Sequence, residues 1–308
     1  MDQITGVRIF VLAVDRGSLA AAGRQLGLSP AMAGRHLRSL ETQLSARLLQ
    51  RSTRHLSLTE AGQRYYERCK RVLADFDDAN REAADRDQAL QGTLKVAAPV
   101  TFGAMHLGPS MAQYLSEHPG VTIDVALSDR HVDLLEAGID VAIRIGQLRD
   151  DNLTVRRLAA CRMVACASPR YLKDHGAPKT PMQLRDHHCL AFSGAVSAGD
   201  WTFKAKDGVE YTANGPFRMH ANTMDMLQAA ALAGSGIVYG PSFVFGEALA
   251  KGTLVQVLAD YTTVSLPIHA VFPTARYMPR MVRKFVDRLA EDFGGVPPWE
   301  RWASLTLA

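Results

Sequence analysis

The sequence predicts an α/β protein in two parts: an N-terminal winged helix-turn-helix with a long linker helix, then a two-lobed α/β domain. Three observations predict it. Two short helices are separated by a turn containing Gly27, apolar residues then recur at heptad spacing between Tyr65 and Ala83, and past Gly92 the pattern changes to strand-helix alternation.

The first helix has Ile4, Val7, Phe10, Val11 and Val14 inward. Ser18 is a good N-cap for a second, with Leu19, Ala22 and Leu26 inward and Gly27 as its stop. Ser29 caps a third helix with Pro30 at its first position, where the missing N–H costs nothing. A helix, a turn of about three residues and a helix is helix-turn-helix spacing. Ala33, Leu37, Leu40 and Leu44 form the inward face of the third helix, while Arg35, His36, Arg38 and Ser39 point elsewhere. Small Ala31 and Gly34 with Arg35 beside them make a face able to approach a major groove closely. Residues 47–58 then read as a small hairpin whose basic tip, with Arg51 and Arg54, suits phosphates or a minor groove. Residues 1–62 carry eight Arg against four acids, a net of +4 equal to that of the whole chain, so the excess positive charge sits here. That is the electrostatic footprint of a double-stranded DNA reader.

Thr59 opens a helix expected to run to about Ala89. Tyr65, Cys69, Val72, Phe76, Ala79 and Ala83 recur at steps of four and three, a seam for pairing with a second copy of the same helix. A dimer through it would set two reading helices against a pseudo-palindromic operator.

From residue 92 the alternation is strand 94–98, turn 99–103, helix 104–117, strand 121–127, short helix 132–137 and strand 140–145. Strands at 153–160 and 162–167 lead to a second alternation ending near residue 258, and 268–272 with a helix at 277–293 complete the first unit. Two lobes joined near residues 159–160 and 264–267 make a cleft. The expected boundaries are 1–58 for the reader, 59–91 for the linker, and 92–296 for the two-lobed domain, with residues 297–308 a surface tail. The first lobe takes 92–160 and 268–296, the second 161–267.

Composition is ordinary, with 47% apolar and 21% charged residues. The N-terminal apolar run is broken by Asp and Arg, too short for a signal or a membrane span, so a cytoplasmic protein is expected. Cys69, Cys161, Cys166 and Cys189 show neither C-x-x-C nor zinc spacing and read as buried apolar side chains; no metal or cofactor is expected. Nucleophile-elbow, Walker, H-E-x-x-H and dinucleotide motifs are missing from the sequence, which argues against an enzyme. Two other readings stay open: a thiol-redox regulator using Cys161 or Cys189, and a small-molecule binding module whose helix pair is only an interaction surface.

The segments GSLAAAGRQLGLS, RHLRSLETQL and RLLQRSTRHLSLTEAG resemble the DNA-binding half of LysR-type transcriptional regulators, and GTLKVAAPVTFG, GIDVAIRIG and AAALAGSGIVYGPSFV resemble their effector domain. The resemblance covers residues 1–293 and implies the two-lobed fold of periplasmic binding proteins, an effector-responsive regulator, and a homodimer or homotetramer. It places Pro30, Ala31, Gly34 and Arg35 where family members touch bases and backbone and Arg54 where the wing meets the minor groove; Ser18, Ser29, Arg38 and Arg51 are further DNA-binding candidates. Family members usually carry Ser at the position of Gly34. It places Thr101, Phe102, Ser128, Arg144 and Thr223 along the effector cleft. The turn 100–103 and Asn222-Thr223 stand at helix N-termini, which favour anions, so a small carboxylate is the expected guest. Thr101 and Thr223 acting only as caps, and Arg144 pairing with Asp140 or Glu136, stay open beside that reading.

Overall fold

The computed structural model describes residues 2–51, 56–84, 89–130, 133–148 apart from 135, 153–193, 201–273 apart from 214, and 278–302. The chain divides into two compact units, Met1–Gln88 and Ala89–Ala308.

In the first unit α1 (Gln3–Asp15) starts at Asp2, whose carboxylate accepts from the Ile4 and Thr5 N–H groups. In α2 (Leu19–Gln25) the Ser18 Oγ accepts from Ala21 N at 3.3 Å, and Gly27 takes the left-handed φ of +68° that ends the helix. Ser29 caps α3 (Pro30–Gln43) through Met32 N. The helix pair packs closely because Gly23 faces Ala33: a Cβ at Gly23 would lie 3.0 Å from the Ala33 Cβ. Phe10, Ala22, Leu37, Leu40 and Leu48 form the buried centre. β1 (Leu49–Arg51) and β2 (Leu56–Leu58) pair antiparallel as the wing. Glu41 holds the wing to α3, its Oε1 accepting from Leu48 N at 2.8 Å and Leu49 N at 3.2 Å. Thr59 then caps α4 (Glu60–Ala84) by accepting from Gly62 N at 2.9 Å.

The expected heptad seam is divided. Cys69 is buried and Tyr65 half-buried in the unit's own core, with the Tyr65 ring 5.7 Å from that of Phe10, so these two are corrected from dimer contacts to intradomain packing. Arg8 bridges to Asp77 and Tyr66 bonds Asp15, holding α4 along α1. Val72 and Phe76 stay exposed, at 62% and 39%. The Ala79 side chain and residues 85–88 lie outside the described residues.

The second unit opens with β3 (Gln91–Ala98), starting three residues before the expected strand. The expected turn at 99–103 is helical instead: α5 (Val100–Phe102) leads through a π-helical turn (Gly103–Leu107) into α6 (Gly108–Glu117). β4 (Gly120–Leu127) and β5 (Val141–Ile145) complete the parallel portion with β3. The short helix expected at 132–137 is, among the described residues, a turn closed by Ala137 N to Asp133 O.

β6 (Leu153–Ala167) crosses to the second lobe, followed by α7 (Pro169–His175), a 3₁₀ turn (Pro181–Asp186), β7 (Cys189–Phe192), the hairpin β8 (Trp201–Lys204) and β9 (Glu210–Ala213), and β10 (Phe217–Ala221). Next come α8 (Met224–Leu232), β11 (Ile237–Pro241), α9 (Ser242–Ala250), β12 (Val255–Val257) and β13 (Thr262–Thr263). β14 (Ser265–Pro273) returns beside β6, with Pro267 opposite Ala160 and Leu266 opposite Cys161, and α10 (Arg280–Phe293) covers the first lobe. Among the described residues the main sheet runs β10-β7-β11-β6-β14-β5-β3-β4, so the two long antiparallel strands that run between the lobes form the sheet's middle.

The expected surface tail is a correction. A 3₁₀ turn (Pro298–Glu300) inserts Trp299 into the core at 3% exposure, and Trp302 is also buried. One apolar cluster therefore runs from Phe102 and Phe285 of the first lobe through Trp299 to Phe243 and Phe245 of the second.

Candidate functional site

The exposed end of α3 carries the candidate reading surface. Ser29, Pro30 and Ala31 are exposed at its N-terminus and Arg35 and Arg38 one and two turns on, while Ala33, Leu37 and Leu40 are buried beneath. A helix N-terminus with exposed small residues and Arg can approach a phosphate backbone and place side chains against base edges. Gly34 is itself buried, yet a Cβ built on it meets no atom within 4 Å, so its position opens outward. Ser18 is half-buried and spends its hydroxyl on the α2 cap. The Arg51 side chain and Arg54 lie outside the described residues.

Between the lobes the structure brings Thr101, Ser128 and Thr223 into one neighbourhood, through Asp129 and Asp225, which follow Ser128 and Thr223 by one and two positions. Ser128 N donates to Ala98 O at 2.9 Å, which sets Asp129 against α5, where its Oδ1 accepts from Val100 N at 3.2 Å. Thr101, only 4% exposed, donates from Oγ1 to Asp225 Oδ2 across the lobes at 2.9 Å. Thr223 precedes α8 and makes no side-chain cap bond with it. The Asp129 carboxyl is raised from its usual range, first by burial and further by the charge of Asp225.

One expectation changes here, and two others gain a structural setting. Phe102 does not line a cleft: it is fully buried, ringed by His106 at 5.4 Å, Phe243 at 5.2 Å and Trp299 at 5.5 Å, because its side chain leaves α5 toward the apolar core. Arg144 is half-buried on the face of β5 shared with Ala142, whereas Val141 and Ile143 face the core around Phe102; the period of two puts Arg144 on the other side of the sheet from that core. Each of the two presumed anion sites has one of the chain's own carboxylates beside it: Asp129 accepts from Val100 N at the start of α5, and Asp225 lies in the first turn of α8, where it accepts from Thr101.

Sequence reading missed Asp129, Asp225 and His106. His106 Nε2 donates to Phe243 O at 2.9 Å, a second bridge between lobes, and burial holds its pKa below the ordinary value. Acids next to Ser128 and Thr223 were visible in the sequence; the convergence of two segments 96 positions apart was not.

All four cysteines are buried and unpaired. Burial pushes the Cys161 and Cys189 thiols up to about 12, and raises Cys69 and Cys166 as well. Among the described residues no group of His, Cys, Asp or Glu is placed to hold a metal ion, and no helix is long and apolar enough to cross a membrane.

Residues 4–63 match the family model for bacterial regulatory helix-turn-helix proteins of the lysR family, and residues 87–294 match the LysR substrate binding domain. An uncharacterized HTH-type transcriptional regulator of Haemophilus influenzae is 34% identical over 283 residues, spanning 91% of this chain and 96% of that protein. The structure of CrgA, a LysR-type transcriptional regulator from Neisseria meningitidis, superposes with a TM-score of 0.63 at 31% identity, covering 94% of this chain and 98% of that one. The full-length Vibrio cholerae virulence activator AphB gives 0.60 at 27% identity over 93% and 98%.

Proposed function

This chain belongs to the LysR family of DNA-binding transcriptional regulators, and from that premise we propose that it acts in the cytoplasm as a homodimer, or a tetramer of two dimers, reading a pseudo-palindromic operator under the control of a small effector. The observation that carries the reading is the exposed start of α3, where Pro30, Ala31, Arg35 and Arg38 stand over a buried helix-turn-helix core. Arg51 and Arg54 of the wing extend the contact to phosphate or the minor groove. Among the described residues, exposed Val72 and Phe76 are the part of the α4 seam left for a second copy.

The effector enters between the lobes beside Thr101, Ser128 and Thr223. Asp129 and Asp225 favour a guest that presents hydrogen-bond donors, an amine or hydroxyl, to this end, in place of the carboxylate expected from the sequence. Its binding shifts the population between two interlobe arrangements that differ in operator affinity, which demands unequal affinity for the two. A thermal-shift screen of matched small amines, alcohols and acids tests the charge preference: stabilisation by acids alone overturns it.

Mobility shift against the chain's own upstream region tests the reader. Specific retardation that weakens with salt is expected; retardation absent at low salt would defeat the reading. The thiol-redox alternative is disfavoured by the burial and high pKa of Cys161 and Cys189. The names of the relatives, which are regulators, support a role as regulator rather than enzyme.

A further inference from the structure

The segment after α10 is built as a fastening between the lobes. Gly295, at a left-handed φ of +66°, reverses the chain, and Pro297-Pro298 deliver a rigid approach to the 3₁₀ turn. Trp299 then touches three parts of the domain at once. Its ring lies 4.8 Å from His106 and 5.4 Å from Phe293 of the first lobe and 6.4 Å from Phe243 of the second, and its Nε1 donates to Ala160 O of the crossing strand at 3.3 Å.

Glu300 repeats the arrangement with charge. It accepts from Arg162 Nε at 3.0 Å and from the Arg162 terminal nitrogen at 2.7 Å, and it is hydrogen-bonded by Ser242 Oγ at the start of α9. Arg162 lies over the Trp302 ring, 5.5 Å from its centroid. Room for the segment is provided on α9, where a Cβ at Gly246 would fall 2.5 Å from Trp299 O. An open recess of about 550 Å³, lined by Arg157, Arg162, Ser265, Val296 and Glu300, runs alongside, so displacement of the segment meets solvent and not packed chain.

We propose that residues 297–302 form a strap that sets the resting equilibrium between the lobes, with Trp299 and Glu300 as its positioning residues. The inference rests on the reading of this domain as an effector switch. Lobe movement must carry or release contacts to α5, the crossing strand and α9 together, so the strap favours the arrangement in which Thr101 reaches Asp225 and His106 reaches Phe243 O. Weakening it moves the population away from that arrangement, by roughly tenfold for the loss of one charge-assisted bond.

The test places spin labels on exposed sites of the full chain, at Gln113→Cys in the first lobe and Met182→Cys in the second, and reads interlobe distance distributions without any effector. Glu300→Gln and Gly246→Ala are each expected to add a second distance population to the single one of the parent, with the circular-dichroism spectrum retained. An unchanged single distance in Glu300→Gln, a variant that keeps shape and loses only charge, overturns the strap. Should Gly246→Ala fail to fold, Trp299→Phe, which removes the Ala160 bond and little volume, gives the second reading under the same criterion. Specific operator retardation by the parent chain, measured separately by mobility shift, tests the DNA reading without reference to the strap, so the two failures are distinguishable.

Discussion

The Thr101 hydroxyl donates to the Asp225 carboxylate across the two lobes at 2.9 Å. Their segments meet only because β6 and β14 bring the second lobe back beside the first, and Asp129 on the neighbouring turn adds a second carboxylate to the same corner. The domain thus keeps two acids at a helix-rich junction where an anionic ligand would be the simple expectation. Their presence is what the proposed preference for donors rests on.

Thr101→Val removes the donor and keeps the shape. Stability in urea should fall by about 0.5–1.5 kcal/mol, the net worth of one hydrogen bond. Unaltered stability would mean that the interlobe bond is not formed in solution.

Arg35→Ala tests the reading surface. The side chain is exposed, so unfolding free energy should move by less than about 0.5 kcal/mol. Operator affinity should fall by about 1–3 kcal/mol, and a lost phosphate contact would also reduce the salt slope by about one. Equal affinity in wild type and variant across the salt series would show that α3 is not the reading helix.

Much of this was legible in the sequence and some was not, for definite reasons. Caps at Ser18, Ser29 and Thr59 are local, and all three form as read. The two crossing segments were placed by the return of the first alternation; that they pair with each other is seen only in the structure. Long-range choices were hidden. Nothing in the heptad spacing says that Tyr65 and Cys69 meet Phe10 before any second copy, and a proline-rich terminus gives no sign that Trp299 fills a gap among Phe102, His106 and Phe293. Phe102 was misassigned for the same reason, since a side chain next to a cleft residue can turn either way.

The α4 seam makes a divided prediction. Val72→Glu combined with Phe76→Glu should give monomers by light scattering with a native far-ultraviolet spectrum, because both sites are exposed within the chain. Cys69→Glu should instead unfold the N-terminal unit, a carboxylate having been buried without a partner. Dimers that persist in the double variant would put the twofold contact elsewhere.

Thiol reactivity separates a structural role from a redox one. With a pKa of about 12, Cys161 and Cys189 are ionised to about one part in ten thousand at pH 8, and burial blocks access as well. Maleimide should leave the native protein unmodified and label all four thiols once guanidinium unfolds it. Stoichiometric labelling of either residue in the native state within minutes would revive the thiol mechanism.

Gly34 sets the sharpest test of how closely α3 approaches its target. A Cβ there meets no atom within 4 Å, so Gly34→Ala should gain about 0.5–1 kcal/mol from the reduced freedom of the unfolded chain. Gly34→Ser should gain less, Ser being the weaker helix former, but it adds the hydroxyl donor and acceptor that a phosphate or base edge can use. Both variants should therefore melt higher than wild type while holding operator affinity. A higher melting temperature accompanied by a tenfold loss of operator binding in both would mean that the bare backbone at Gly34 itself sits against the DNA, with no space for even one added carbon.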